Sequence, residues 1–299
     1  MRNLFIFVLV FLVGENLACR SEVSKEAVHK IDDLLSKRMN VVAKKIEEDK
    51  NWQPKINITK IAEVETSRAH LEYLLKKIEL MSAVKKEIDE GNAELVLLLE
   101  KYPQGKPGHT LIFAFKNYFD AYKTFMDSLN KHLKNQIRTC ILYNSIVSLE
   151  TNQQLFFDAL DSSDVERAQT CYEKETELIN NFDSNFKLVD FKGKIPSEWP
   201  TEFRNTYDKM HEWNKKFLEA RNQKNDSLYR KLRLEGFALV FKIPYEKSEK
   251  FRTEIENILF ESDPEIENLE KKSMEAGRVA LEMYYIQKTN IGEDPHAIF

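Results

Sequence analysis

The chain has 299 residues, of which 31% are charged and 42% are apolar, and its formal net charge at pH 7 is −4. Only 8 Gly and 8 Pro interrupt it, which is typical of a helical protein and argues against folds that need many tight hairpins or glycine-rich phosphate loops. The slightly acidic balance gives no overall attraction to nucleic acid.

The first 18 residues have the parts of a secretory signal peptide. Arg2 forms a short positive region, an apolar run follows from Leu4 to Val13, and Ala18 fits the end of a cleavage site. The run is too short to span a membrane, which needs about 20 apolar residues. A buried N-terminal helix is the alternative. We expect residues 1–18 to be removed and the mature chain to be secreted, extracellular and without stable membrane insertion.

Cysteines and glycosylation sequons are consistent with that compartment. Cys19 lies at the expected cleavage point, and in an oxidising environment the remaining Cys140 and Cys171 most simply form a disulfide bond. Two buried free thiols are the alternative. An Asn-Ile-Thr tripeptide predicts N-glycosylation at Asn57, and an Asn-Asp-Ser tripeptide predicts it at Asn225.

Apolar periodicity predicts helices before a loop that is rich in Pro and Gly. Steps of three and four indicate helices at Ser21–Lys50 and Thr59–Glu90, the second with a C-terminal stop at Gly91-Asn92. The short apolar run Leu95–Leu99 is also predicted to be helical. Residues Tyr102–His109 then predict a loop, because four of the eight are Pro or Gly.

The longest apolar pattern runs from Thr110 to Leu149 and predicts one helix of about 40 residues, roughly 60 Å long. Only other long helices can cover such a rod. We therefore expect an all-α fold, a bundle of long helices around a central helix at about residues 110–149. The expected disulfide favours a break near Thr151, before a turn at Asp161–Asp164 that caps the next helix.

Irregular sequence between Phe182 and Trp199 is the best candidate for a boundary. The chain is long enough for one large domain or for two closely packed halves. If there are two, we expect an N-terminal helical half at 19–190, which includes the central helix, and a C-terminal helical half at 191–299. The patterns near the C-terminus predict a strand-like window at Phe237–Ile243, a helix at Tyr245–Phe260, and a helix at Pro264–Thr289 that is capped by Asp263.

Large side chains recur every three or four residues in the helix that follows residue 199. Such a stripe could line a pocket for an apolar ligand, although ordinary core packing is the more common explanation. The members of the stripe are Trp199, Phe203, Tyr207, Met210, Trp213 and Phe217.

Residues 221–233 form a basic segment. Its cations greatly outnumber its single carboxylate, and such a cluster can bind sulfated glycans or acidic partners. A solvated helix face is the alternative. The cations are Arg221, Lys224, Arg230, Lys231 and Arg233.

No sequence motif indicates catalysis, a metal or a cofactor. The 6 His residues include no His-Glu-x-x-His motif, and the chain has no nucleophile elbow, no phosphate-binding glycine loop and no Cys-x-x-Cys. His132 and His211 could serve an active site, but a His on a helix face is more often structural. We expect a protein that is not an enzyme and that has no cofactor.

In overall texture the chain resembles the thirty-four-kilodalton salivary proteins of culicine mosquitoes. The likeness extends from the helix at Ser21–Lys50 through Cys140 and Cys171 to the C-terminal helix. The resemblance rests on features that the two share: an expected secretory signal, a composition rich in Lys and Glu, predicted helices throughout and a mass of 35.2 kDa. The resemblance implies a protein that is injected into a vertebrate host and acts on haemostasis or immunity by binding. A secreted helical protein of a nematode would have much the same composition and helical pattern.

Three classes of function are open from the sequence. The first is a secreted, non-enzymatic binding protein whose helix surfaces engage an extracellular host protein or a sulfated glycan. The second is a carrier that holds an apolar small molecule in an interhelical cavity. The third is a hydrolase whose His and carboxylate groups converge only in the fold. We favour the first class.

Overall fold

The computed structural model describes four stretches of the chain, residues 24–52, 64–236, 242–260 and 262–294. Of these residues 87% are helical and none lies in a β-strand, which confirms the predicted all-α fold. Outside these stretches lie four of the sequence predictions: the signal peptide at 1–18, Cys19, the sequon at Asn57 and most of the strand-like window at 237–243. None of the described helices is both long enough and apolar enough to cross a membrane.

Two predicted helix N-caps, at Asp164 and Asp263, are confirmed. Asp164 accepts a hydrogen bond from the backbone N–H of Arg167, and Asp263 accepts one from that of Glu265, both at 3.1 Å. In chain order the elements are α1 (Lys25–Leu34), a π-helical turn (Leu35–Met39), α2 (Asn40–Trp52), α3 (Val64–Lys101), α4 (His109–Asp161), α5 (Val165–Phe186), α6 (Trp199–Asn222), α7 (Asp226–Gly236), α8 (Lys242–Phe260) and α9 (Pro264–Asn290).

Helix α4 is the central element of the bundle and is longer than the predicted range of 110–149. It has 53 residues and packs against α3, α5, α8 and α9. The expected break near Thr151 is absent, because Asn152 and Gln153 are buried in contacts with α5 and are not exposed in a turn. Phe156 then continues the apolar side of the helix into a second core.

Helix α3 is also longer than predicted, because Gly91 lies inside it and not at its end. The helix continues through the apolar run at Leu95–Leu99 and ends at Lys101. A Cβ at position 91 would lie only 2.3 Å from Cε1 of Phe119 on α4. Glycine therefore permits close packing between α3 and α4, and the predicted stop at Gly91-Asn92 is wrong.

The long helix α4 runs through two apolar cores. The main core draws side chains from α1 to α6 and from α8 and α9, among them Phe115, Phe182 and Tyr284. It therefore extends across the predicted boundary between 19–190 and 191–299, and the division into two halves stays a prediction. A smaller core forms at the C-terminal end of α4, where α5, α6 and α7 meet, from Phe156, Ala159, Leu160, Ala168, Cys171, Phe217, Leu218, Ala220 and Tyr229.

Cys140 and Cys171 are both buried but lie far apart, so the predicted disulfide bond between them is wrong. The side-chain amide of Asn152 donates to the backbone carbonyl of Cys171 at 2.9 Å, which sets Cys171 opposite Asn152 in the α4–α5 hairpin. Asn152 follows Cys140 by 12 residues, or about 18 Å along a helix. Bonded cysteines have Cα atoms within about 7 Å. Because α4 does not break near Thr151, the returning chain reaches the level of Cys140 only near Asn185 and Leu188, well beyond Cys171.

Candidate functional site

Two of the five predicted cations are held in contacts within the protein. The guanidinium of Arg221, near the end of α6, donates to Oδ1 of Asp226 at 3.0 Å and lies 3.7 Å from the ring centre of Tyr229. Arg233 on α7 donates from both terminal nitrogens to the carboxylate of Asp161, at 2.5 and 3.1 Å. These contacts attach α7 to the C-terminal ends of α4 and α6, so both arginines have a structural role.

The other three cations lie on the exposed side of α7 and in the turn before it. Lys224, Arg230 and Lys231 are all exposed, and the ammonium of Lys231 lies 3.9 Å from the carboxylate of Glu235, a weak surface contact. Leu234 is 80% exposed. It follows Arg230 by four residues and Lys231 by three, so these side chains share one helix surface. We name Lys224, Arg230, Lys231 and Leu234 the α7 basic face.

Leu234 is not among the residues of the predicted basic cluster, although the sequence of α7 carries a local signal for its exposure. The residues of α7 that face the bundle are Tyr229, Leu232 and Gly236, which are three or four residues apart. Gly236 lies against α6, where a Cβ would come within 3.0 Å of the Trp213 ring. An apolar residue outside that repeat, as Leu234 is, must point to solvent.

The predicted glycosylation residue Asn225 caps the same helix. Its side-chain Oδ1 accepts a hydrogen bond from the backbone N–H of Leu228 at 3.0 Å, and the residue is exposed. The side-chain Nδ2, to which an N-glycan would be attached, takes no part in this cap. The local structure is therefore compatible with the prediction at Asn225.

The large side chains of the α6 stripe are packed in the two cores. The ring centre of Phe203 lies 4.2 Å from that of Phe182 and 5.4 Å from that of Phe251. Phe217 contributes to the smaller core beside Tyr229, with ring centres 5.8 Å apart. Core packing therefore accounts for these rings. The remaining members of the stripe are the buried Tyr207 and Met210 and the half-buried Trp199 and Trp213.

The fold brings His211 to a buried carboxylate that no sequence motif connects to it. Nδ1 of His211 lies 2.7 Å from Oε2 of Glu175, and the side-chain amide of Asn214 donates to both carboxylate oxygens at 3.2 and 3.1 Å. The amide of Gln153 donates to Oε1 as well. The side chain of Glu175 is 1% exposed. Burial raises the pKa of this carboxyl, and the hydrogen bonds from His211 and Asn214 oppose the rise.

The geometry of this pair indicates a polar contact between α4, α5 and α6. Glu175 is enclosed by the three helices and is not open to a ligand. The ring of His211 is stacked on that of Tyr172, with centres 4.2 Å apart and planes 6° from parallel. Neither His211 nor Glu175 lines the open groove between α4 and α5 or the cavity between the middle of α4 and the start of α9. We therefore interpret the pair as structural.

An open groove with a volume of about 460 Å³ runs between α4 and α5. It is lined by Leu155 and Cys171 and by charges of both signs, including Asp164, Arg167 and Lys174. Burial raises the pKa of the Cys171 thiol, so the thiol stays protonated and weakly nucleophilic at neutral pH. Within the stretches that the structure describes, no three His, Cys, Asp or Glu side chains are placed to hold a metal ion.

Comparison of the chain with protein-family models, with curated proteins and with solved structures finds no match. The resemblance to the salivary proteins of culicine mosquitoes therefore stays a prediction.

Proposed function

We propose that the protein is a secreted, non-enzymatic binding protein and that its α7 basic face binds a sulfated glycan. The observation that supports this proposal is the exposure of α7. Contacts with Asp226 and Asp161 hold the two structural arginines, whereas Lys224, Arg230 and Lys231 are exposed, and Arg230 and Lys231 share a helix surface with the exposed Leu234. A role as a salivary effector on host haemostasis or immunity is part of the same proposal and rests on the resemblance alone.

Local charge supports binding of a polyanion in spite of the net charge of −4. At physiological salt, charges further apart than about 8 Å are largely screened, so a ligand at α7 responds mainly to the nearby cations. Each phosphate or sulfate contact releases condensed counterions. By analogy with nucleic acids, three such contacts give a slope of roughly −2 to −3 for the logarithm of affinity against the logarithm of salt concentration.

Heparin affinity chromatography tests the proposal. We expect the wild type to be retained at low salt and released as salt is raised, and a triple variant with Lys224, Arg230 and Lys231 changed to Ala to elute early. The matched control changes Lys209, Lys271 and Lys272 to Ala, which removes the same charge from exposed positions on α6 and α9. It should elute with the wild type.

Two outcomes would overturn the proposal: no retention of the wild type, or equal elution of the two triple variants. Arg221 and Arg233 are unsuitable test positions. Changing either one breaks its contact with Asp226 or Asp161, so a lost interaction with heparin could reflect displacement of α7.

A further inference from the structure

The histidine in the second turn of α3, His70, is buried without a hydrogen-bond partner. The residue is 6% exposed, and neither Nδ1 nor Nε2 has a partner within the described part of the chain. A neutral imidazole carries one N–H donor and one acceptor nitrogen, and a polar group that is buried unpaired makes folding less favourable. The stability of the neutral protein therefore does not explain a polar ring at this position.

The surroundings of the His70 ring are aromatic. Its centre lies 6.3 Å from that of Tyr73, one turn later on α3, and 5.7 Å from that of Phe260, the last residue of α8. Phe260 has no hydrogen-bonding side-chain group, and the hydroxyl of Tyr73 accepts a hydrogen bond from Nζ of Lys77 at 3.2 Å. An imidazolium formed in this arrangement would lose its hydration without gaining a partner.

A nearby cation adds to the cost of charging the ring. Lys77 lies two turns after His70 on the same helix and is 5% exposed. Burial lowers the pKa of His70, and the positive charge of Lys77 lowers it further. Among the residues that the structure describes, no carboxylate acts on His70 to oppose these two effects.

The other titratable groups of this region act on Lys77. Burial lowers the pKa of Lys77, while the carboxylates of Asp49 near the end of α2 and Glu270 on α9 raise it. His132 on α4 also lies within the field of Lys77. The pKa of Asp49 is raised by burial, an effect that Lys77 opposes, so proton uptake by Asp49 favours the closed arrangement in acid. An opening in acid therefore cannot come from Asp49.

The contact of His70 with the end of α8 has the opposite dependence on pH. In the closed arrangement the pKa of His70 lies below the ordinary value of 6.5, to which it returns once the ring meets water. As the pH falls below 6.5, the open arrangement takes up a proton before the closed one. The stability of the contact is fully present above pH 6.5 and is lost as the pH falls through the pKa of the closed arrangement.

We propose that His70 is an acid-sensitive switch: at neutral pH its uncharged ring packs α3 against the end of α8, and its protonation opens this contact. Opening would expose the apolar surfaces of Tyr73 and Phe260. Histidine changes charge between neutral and mildly acidic conditions, the range that separates the exterior of a cell from an endocytic vesicle. The switch does not depend on the proposed glycan binding, because it shares no residue with the α7 basic face.

Hydrogen exchange followed by mass spectrometry tests the switch, because it reports local opening peptide by peptide. The wild type is compared at about pH 7.5 and about pH 5.5, on either side of the ordinary value for histidine. Rates are corrected for the intrinsic pH dependence of amide exchange. We expect peptides from 68–80 and 252–260 to exchange several-fold faster at the lower pH. Linkage limits the gain from one imidazole to roughly tenfold at one pH unit below its pKa in water.

Two variants remove the titrating group, and a third is the control. His70→Phe keeps a ring against Phe260, and His70→Gln keeps a polar side chain, so both should exchange equally at the two pH values. At neutral pH, urea unfolding should find His70→Phe at least as stable as the wild type, because it leaves no buried nitrogen unpaired. His29→Gln changes an exposed histidine on α1 that contacts Glu293 and should keep the wild-type response in the two segments.

Three results would overturn the proposal. They are exchange in the wild type that does not depend on pH in either segment, a response that persists in both His70 variants, and a loss of the response in His29→Gln as large as in His70→Phe. Circular dichroism at neutral pH establishes that each variant is folded. The measurement involves no glycan, so failure of heparin binding leaves its outcome unchanged.

Discussion

A buried carboxyl makes the stability of the bundle depend on pH. The pKa of Glu175 in the folded protein lies above the ordinary value of 4.5, because burial disfavours its charged form. Between 4.5 and the folded pKa, the folded chain holds a proton that the unfolded chain has released. The stabilisation from this proton is fully present below pH 4.5 and is lost as the pH rises through the folded pKa.

We expect Glu175→Gln to remove this pH dependence, since glutamine has no charge to bury. Relative to the wild type, the free energy of unfolding of the variant should increase as the pH is raised from about 4.5 to about 7. Urea unfolding at a series of pH values measures the difference. Glu177→Gln, at an exposed position on the same helix, is the control. Stability curves of wild type and Glu175→Gln that stay parallel across this range would contradict the interpretation.

At the scale of helices, the α3–α4 contact depends on the absence of a side chain at Gly91. An alanine inside a helix normally stabilises it by about 1 kcal/mol relative to glycine. Here its Cβ would meet the fully buried ring of Phe119 at 2.3 Å, and overpacking of a core costs about 1–3 kcal/mol.

We therefore expect Gly91→Ala to lower the free energy of unfolding by on the order of 1 kcal/mol, against the helix propensity. Chemical unfolding followed by circular dichroism measures this change. Ser82→Ala, on an exposed face of the same helix, tests propensity without a packing conflict and should be neutral or stabilising. A more stable Gly91→Ala protein would show that the two helices can move apart at little cost.

Local signals in the sequence predicted the helices well, whereas the contacts between helices could not be predicted. Asp263 marks the start of α9 correctly, because a cap involves only its own helix. Gly91 was wrongly predicted to end its helix. Glycine is needed there because a side chain would clash with Phe119 on another helix. The same limit applies to the basic segment. Arg233 differs from its exposed neighbours through its ion pair with Asp161, which is 72 residues away in the chain.

At the scale of the whole molecule, the unbroken helix α4 determines which distant segments of the chain are in contact. The all-α fold and the central helix follow from periodicity. The cavity beside the middle of α4 does not, because His132, Lys192 and Asp263, which line it, come from three separate segments that only the packing of α4 and α9 brings together. His132 lies in the middle of α4, Lys192 in the segment between α5 and α6, and Asp263 at the start of α9, so no periodic pattern connects them.

The same continuity predicts the state of the cysteines. We expect peptide mapping under non-reducing conditions to yield no cross-linked pair of peptides that contain Cys140 and Cys171. The unbroken helix α4 places Cys140 about 18 Å along its axis from Asn152, which lies opposite Cys171. A fully reduced sample provides the reference map. Detection of that linked pair would require a break in α4 near Thr151 and a different α4–α5 hairpin.

The cap at Asn225 has a consequence for how the protein should be produced. Asn225 follows Lys224 directly and begins α7, so a carbohydrate on its Nδ2 would extend from one end of the α7 basic face. Such a carbohydrate would shield the lysine and reduce access for a second, sulfated chain. Occupancy of a single sequon would thus switch the surface between an uncovered and a masked form. Material from a bacterial host, which lacks the modification, would then bind heparin more strongly than material from a eukaryotic cell.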